Sequence, residues 1–283
     1  MPNYNRVLIP IDLTPRLGAL TPAVRRLIDT SEAEITLLHV VEPQPWLGRN
    51  GHAARLMSEL ELFAQRQFRG ARISRRIEWG RPADCILSVI RAGRMDAMLM
   101  SAGSSPVGGS ALGPVAAEVL AESPCPVLLE WAATPPVNRA RTHPVCCAIE
   151  FDGSEEDVLR EAAWAAATME APLKVMGSLV PSSPKSALLW NPDEREFEIA
   201  MAESRIQNLC DRWAPEASVK VGVGPPASVY SRAIRLHGAG LMVAGGSREN
   251  LLAAESACPV LYVGPARRLK AERPAEFAVA RGA

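Results

Sequence analysis

The chain has 283 residues, with 31 Lys plus Arg against 31 Asp plus Glu and a formal net charge of zero. That length serves two domains of ordinary size, and the balanced charge excludes the basic excess of a dedicated nucleic-acid binder. No apolar run approaches the roughly 18 residues that span a bilayer and the N-terminus lacks a signal-peptide core, so a cytoplasmic protein without membrane or nucleic-acid partners is expected.

In chain order, Arg6-Val-Leu-Ile-Pro-Ile-Asp12 reads as a buried parallel strand ending in a carboxylate. A helix is expected from there to about Thr30. Glu34–Val41 is the second strand, stopped by Pro43, and Leu56, Leu60 and Phe63 at helical spacing predict a helix from about His52 to Phe68. Ile73–Trp79 alternates as a third strand, and Pro82 opens a helix where its missing N–H costs nothing. Asp96–Ser101 and Pro126–Leu129 are the fourth and fifth strands, with a Gly-rich loop and a short helix between them. The plan then repeats. Strands are expected at Val145–Phe151, Leu173–Leu179, Val219–Val223, Leu241–Ala244 and Val260–Val263. Ser154-Glu-Glu-Asp157 predicts a capping box, and Asn191-Pro192 a capped helix start.

The halves are copies of one another. Ala121-Glu-Ser-Pro-Cys-Pro-Val-Leu-Leu129 returns as Ala254-Glu-Ser-Ala-Cys-Pro-Val-Leu-Tyr262, identical at seven of nine positions, at an offset of 133. Gly80-Arg-Pro-Ala83 answers Gly224-Pro-Pro-Ala227 and Met98 answers Met242 at an offset of 144; Asp12 answers Asp152 at 140. The fall from 144 to 133 places an 11-residue loss after the fourth strand of the second copy. Alternating strands and helices call for a parallel sheet with right-handed crossovers. The expected fold is therefore α/β, two tandem five-stranded parallel-sheet domains packed as a pseudo-dimer. The domains are residues 1–131 and 145–264, joined by a linker at 132–144 and followed by a mobile tail at 265–283.

Asp12, at the carboxyl end of the first strand, stands where open α/β sheets bind ligands; a helix cap or turn is its alternative role. Asp152 has the same two roles, with the cap favoured by Gly153-Ser154. The loop Gly103–Gly113 lets backbone N–H groups approach phosphate oxygens at a helix N-terminus. Pro114 deletes a donor there. Six cysteines (Cys85, Cys125, Cys146, Cys147, Cys210, Cys258) show no metal or C-x-x-C spacing, so neither metal nor disulfide is expected. Four histidines form no triad, and there is no nucleophile elbow or Walker loop. A catalytic assignment has nothing to rest on.

Val7-Leu-Ile-Pro-Ile-Asp12, Leu38-His-Val-Val41 and Ser123-Pro-Cys-Pro-Val127 together resemble the universal stress protein family in its tandem form, with a fold like that of the adenine nucleotide alpha hydrolases, Rossmann-like. The resemblance implies that the first-strand Asp contacts adenine and that a Gly-x2-Gly-x9-Gly-Ser/Thr loop holds ribose and phosphates. It carries over to Pro10, Asp12, Val40, Met100, Gly103, Ser104 and Gly113 in the first half, and to Asp152, Gly245 and Gly246 in the second. Met100 stands where the family's first glycine belongs, and Pro114 where its Ser or Thr belongs. The expectation is a non-enzymatic stress-response or signalling module acting through a small ligand or a protein partner. ATP bound in the first domain, with or without slow hydrolysis, is one alternative; a non-nucleotide cargo is another. Homodimerisation through the exposed last strands is also expected, since edge strands seek partners.

Overall fold

Each half lays down five short strands whose successive residues bury on opposite faces, as a two-sided parallel sheet requires. The structure is a computed structural model and describes residues 4–13, 27–28, 33–43, 49–68, 71–102, 112–131, 143–180, 191–246 and 258–264. The first half contains β1 (Arg6–Pro10), β2 (Glu34–Val41), β3 (Arg72–Trp79), β4 (Ala97–Ser101) and β5 (Val127–Glu130). Its described helices are α1 (Arg49–Gln67), α2 (Pro82–Gly93) and α3 (Pro114–Glu122). The second half contains β6 (Val145–Ile149), β7 (Leu173–Leu179), β8 (Ser218–Val223), β9 (Leu241–Gly245) and β10 (Val260–Val263), with helices α4 (Glu155–Met169), α5 (Pro192–Trp213) and α6 (Pro226–His237). The helix expected between Asp12 and Thr30 falls, apart from residues 27 and 28, outside the described residues, as do most of the linker and the tail.

The strands join in one ten-stranded sheet, β3-β2-β1-β4-β5-β10-β9-β6-β7-β8. Within each half all pairings are parallel, and the halves meet at one antiparallel pairing of β5 with β10. There Val127 pairs with Tyr262, Leu128 with Leu261 and Leu129 with Val260. At the repeat offset of 133, Leu128 and Leu261 are the same position. A pseudo-twofold axis therefore passes through this pair, and the junction is self-complementary as in a C2 dimer. It also corrects the expectation of dimerisation through the last strands. β5 and β10 satisfy each other inside one chain, and the open edges of the sheet are β3 and β8.

One face packs on α1, α4 and α5 through Leu60, Val158, Leu159, Ile206 and Cys210. The other packs on α2, α3 and α6 through Ile86, Ile90, Leu120, Tyr230 and Ile234. The halves are further tied by Tyr4, whose hydroxyl donates to the buried Glu161 carboxylate at 2.8 Å and whose ring lies 4.3 Å from that of Trp164. The glycine landmarks have a backbone cause. Gly80 and Gly224 both take positive φ (154° and 136°), and their N–H groups donate to Val41 and Leu179, closing the same turn in each copy.

Helix starts follow the proline signals. Pro82, Pro114 and Pro192 all open helices, and the Asn191 side chain accepts from the Asp193 N–H at 3.2 Å. The capping box at Ser154 is corrected. Ser154 is the N-cap of α4 but caps no helix donor: its backbone (φ −96°, ψ −2°) is not the extended one an N-cap serine uses, and its hydroxyl donates to Asp152 Oδ1 at 2.6 Å.

Candidate functional site at the carboxyl ends of the strands

Strand order reverses beside β1, which lies between β2 and β4. That switch point opens a crevice at the carboxyl ends of an open α/β sheet. Pro10 ends β1, half-buried. Ile11 follows with both backbone groups engaged: its N–H donates to Leu38 at 2.7 Å, and its carbonyl accepts from His39 Nδ1 at 2.8 Å. A carbonyl only accepts, so the His39 proton there sits on Nδ1. Asp12 leaves the sheet from this clamp and is exposed. Val40, on the neighbouring strand, is partly buried against the α2–α3 side. Nothing in the sequence set His39 apart from an ordinary strand histidine; its role in fixing Ile11 depends on the register of β1 against β2.

Met100 is 7% exposed and packs in the core with Leu8, Met98 and Leu129. Its side chain serves the sheet face. Gly113 is the N-cap of α3, and its N–H donates to the Ala102 carbonyl at 3.0 Å. Pro114 contributes no N–H. Two donors that would face an anion at this helix start are thus committed or missing, which leaves those of Val115 and Ala116. Gly103 and Ser104 lie outside the described residues, as do Ser105 and Ser110.

In the second half the same end is occupied by its own side chains. Asp152 Oδ1 accepts from the Ser154 N–H (2.9 Å) and hydroxyl, which makes it the turn residue leading into α4. Gly245 is where α4 meets β9: a Cβ there would lie 2.5 Å from Val158 Cγ2 and 3.2 Å from the Val263 carbonyl. At Gly246, which has φ +74°, a Cβ would meet the Glu150 carboxylate and stand 3.0 Å from Asp152 Oδ2. Two carboxylates at this end oppose a phosphate. Tyr262 donates its hydroxyl to the Gly246 carbonyl at 2.9 Å. Tyr230, fully buried, donates to the Ile149 carbonyl at 2.7 Å; burial and then the Glu150 carboxylate push its phenol pKa well up. At the 144 offset Tyr230 replaces Ile86 of the first half. Glu155 at the start of α4 is ion-paired with Arg205 of α5, whose guanidinium lies 5.0 Å from the Phe151 ring centre. The connection between β9 and β10 spans residues 246–259, against 102–126 between β4 and β5.

Among the described residues no group of three or more His, Cys, Asp or Glu could hold a metal ion, and no helix is long and apolar enough to cross a membrane. All six cysteines are free thiols.

Two parallel half-sheets with switch-point crevices, fused about a pseudo-twofold axis, define a tandem α/β protein of the Rossmann-like class. The model of the universal stress protein family matches residues 3–129, the first half of the chain. A universal stress protein from Archaeoglobus fulgidus DSM 4304 has a similar structure at 18% identity, covering 92% of this chain and 98% of that one with a TM-score of 0.64. A functionally unknown protein from Pseudomonas aeruginosa PAO1 aligns at 15% identity over 95% of this chain and 97% of its own, with a TM-score of 0.61. Both alignments run across the two halves, so the fold is shared throughout. No curated protein matches the chain.

Proposed function

We propose that the protein is a non-enzymatic stress-response or signalling module in which the first half binds the ligand and the second half is a scaffold. The observation that carries this is the asymmetry of the two switch points. In the first half Asp12 emerges exposed from a clamped strand end, at the carboxyl end of the sheet where α3 also starts. In the second half the equivalent Asp152 is bonded to Ser154, and Gly245 and Gly246 are packed against Val158, Glu150 and Asp152. A ligand matching the first-half crevice is an adenine nucleotide: Asp12 accepts from its amino group, Val40 borders the base, and Val115 and Ala116 present N–H groups to its phosphates. The role proposed for these residues is binding. Calorimetric titration with ATP and magnesium tests this, repeated with Asp12→Ala. Binding weaker than about 1 mM in the wild type rejects the nucleotide, and binding unchanged by Asp12→Ala rejects the adenine contact. A non-nucleotide cargo is the second reading, favoured by the two donors that Gly113 and Pro114 withhold; mass spectrometry of what co-purifies tests it, an empty protein counting against it.

A further inference from the structure

Trp131 follows β5 directly and is 6% exposed. Its indole Nε1–H is buried and has no hydrogen-bond acceptor among the described residues. Indole can only donate, and a buried donor without an acceptor is rare enough in folded proteins to call for an explanation such as a water or a ligand.

The position of Trp131 suggests what that acceptor is. The Ala102 N–H, where the Gly-rich loop leaves β4, donates to the carbonyl of Glu130, the residue before Trp131, at 2.8 Å. The Gly113 N–H, where the loop returns, donates to the Ala102 carbonyl at 3.0 Å. Both ends of the loop are therefore fastened beside Trp131. Trp131 also shares one packed cluster with Met100, Ala102 and Ala116, with Leu112 and Val115 set against it. These are the residues around the start of α3, where positive potential gathers. In the second copy, at the 133 offset, Gly264 stands in place of Trp131, so the indole belongs to the first half alone. It is a donor added at the end of the sheet where Gly113 and Pro114 have taken two away.

Resting on the nucleotide reading above, we infer that the Trp131 indole N–H donates to a phosphate oxygen of the nucleotide bound in the first half. This contact would replace part of the backbone cradle lost at Gly113 and Pro114. The ring also packs the core, so Trp131→Phe keeps the apolar body while deleting only the donor and the smaller ring.

The test uses the full chain labelled with indole-15N tryptophan. The six tryptophans give six indole signals, and Trp131→Phe identifies that of Trp131. On titration with ATP and magnesium the Trp131 signal should move downfield, and Trp131→Phe should weaken calorimetric binding roughly fivefold to tenfold. AMP, which lacks the β- and γ-phosphates, tests whether the acceptor lies beyond the α-phosphate: a shift with ATP and none with AMP places it there, and equal shifts place it on the α-phosphate. A wild type that binds ATP while the Trp131 signal stays fixed overturns the inference and leaves the nucleotide reading intact. A wild type that binds no ATP overturns both. If Trp131→Phe does not fold, the variant of each other tryptophan in turn assigns the remaining signals, and the wild-type shift decides.

Discussion

Gly245→Ala and Gly113→Ala separate a packing glycine from one with room. A methyl at Gly245 would stand 2.5 Å from Val158 Cγ2, 3.2 Å from the Val263 carbonyl and 3.4 Å from Ser154 Oγ. Carbon–carbon contacts settle near 3.5–4.0 Å, so α4 must shift outward or Val158 must leave its rotamer. Overpacking of this kind costs about 1–3 kcal/mol. At Gly113 the same methyl would find only the Ala102 carbonyl, at 3.9 Å, and the backbone (φ −63°, ψ 156°) suits any L residue. That change should stay within about 0.5 kcal/mol. Urea unfolding followed by circular dichroism should lower the midpoint for Gly245→Ala and leave Gly113→Ala near wild type. In a thermal melt the Gly245 variant should lose about 4–8 °C for about 2 kcal/mol. Equal stability of Gly245→Ala and wild type would refute the assignment of Gly245 to helix–sheet packing and return it to the list of candidate ligand glycines.

Further outcomes follow from other contacts. Tyr4→Phe removes a donor from the buried Glu161 carboxylate that ties the halves and should cost about 1–3 kcal/mol in chemical denaturation; a change below 0.3 kcal/mol would mean that the tie is idle. Burial pushes the thiol pKa values of Cys146 and Cys210 up to about 11 and that of Cys258 up to about 12, from an ordinary 9.0. Because these folded-state values are raised, the stability they contribute is complete below pH 9 and falls as pH rises toward 11–12, where the unfolded chain ionises first. The urea midpoint should drop between pH 8 and pH 10; a flat profile would contradict the burial. Pro114→Ser restores an N–H and a hydroxyl at the start of α3 and should tighten ATP binding by roughly tenfold, read by calorimetry. No gain would show that this end of the helix does not face the phosphates.

The strand plan was legible because each strand is a short apolar run bounded by Gly, Pro or a charge, and Leu173–Leu179 and Val260–Val263 agree residue for residue. The duplication was legible too, and it has a physical counterpart in the Leu128–Leu261 pair. Legibility ended wherever a group's partner lies far along the chain. Nothing local shows that β5 and β10 cover each other's edges, since their pairing depends on the docking of whole halves. Ser154 looked like a capping-box serine, but its backbone (φ −96°, ψ −2°) is not that of a capping serine, and its hydroxyl donates to Asp152 two residues upstream. Met100 lay in the expected fourth strand where the family's first glycine belongs, and only the strand register shows that its side chain serves the α2–α3 face. The carboxyl end of β1 and Asp12 there could be read from the sequence, whereas His39 on Ile11 and the unaccepted indole of Trp131 arise only from tertiary placement.

In the proposed function one chain holds one ligand site, in its first half. Equilibrium dialysis of the full chain against radiolabelled ATP with magnesium tests it most directly, with Asp12→Ala and Asp152→Ala run beside the wild type. The predicted result is saturation at one ATP per chain, lost in Asp12→Ala and kept in Asp152→Ala. Saturation at two per chain, or a site that disappears with Asp152 and survives without Asp12, would contradict it.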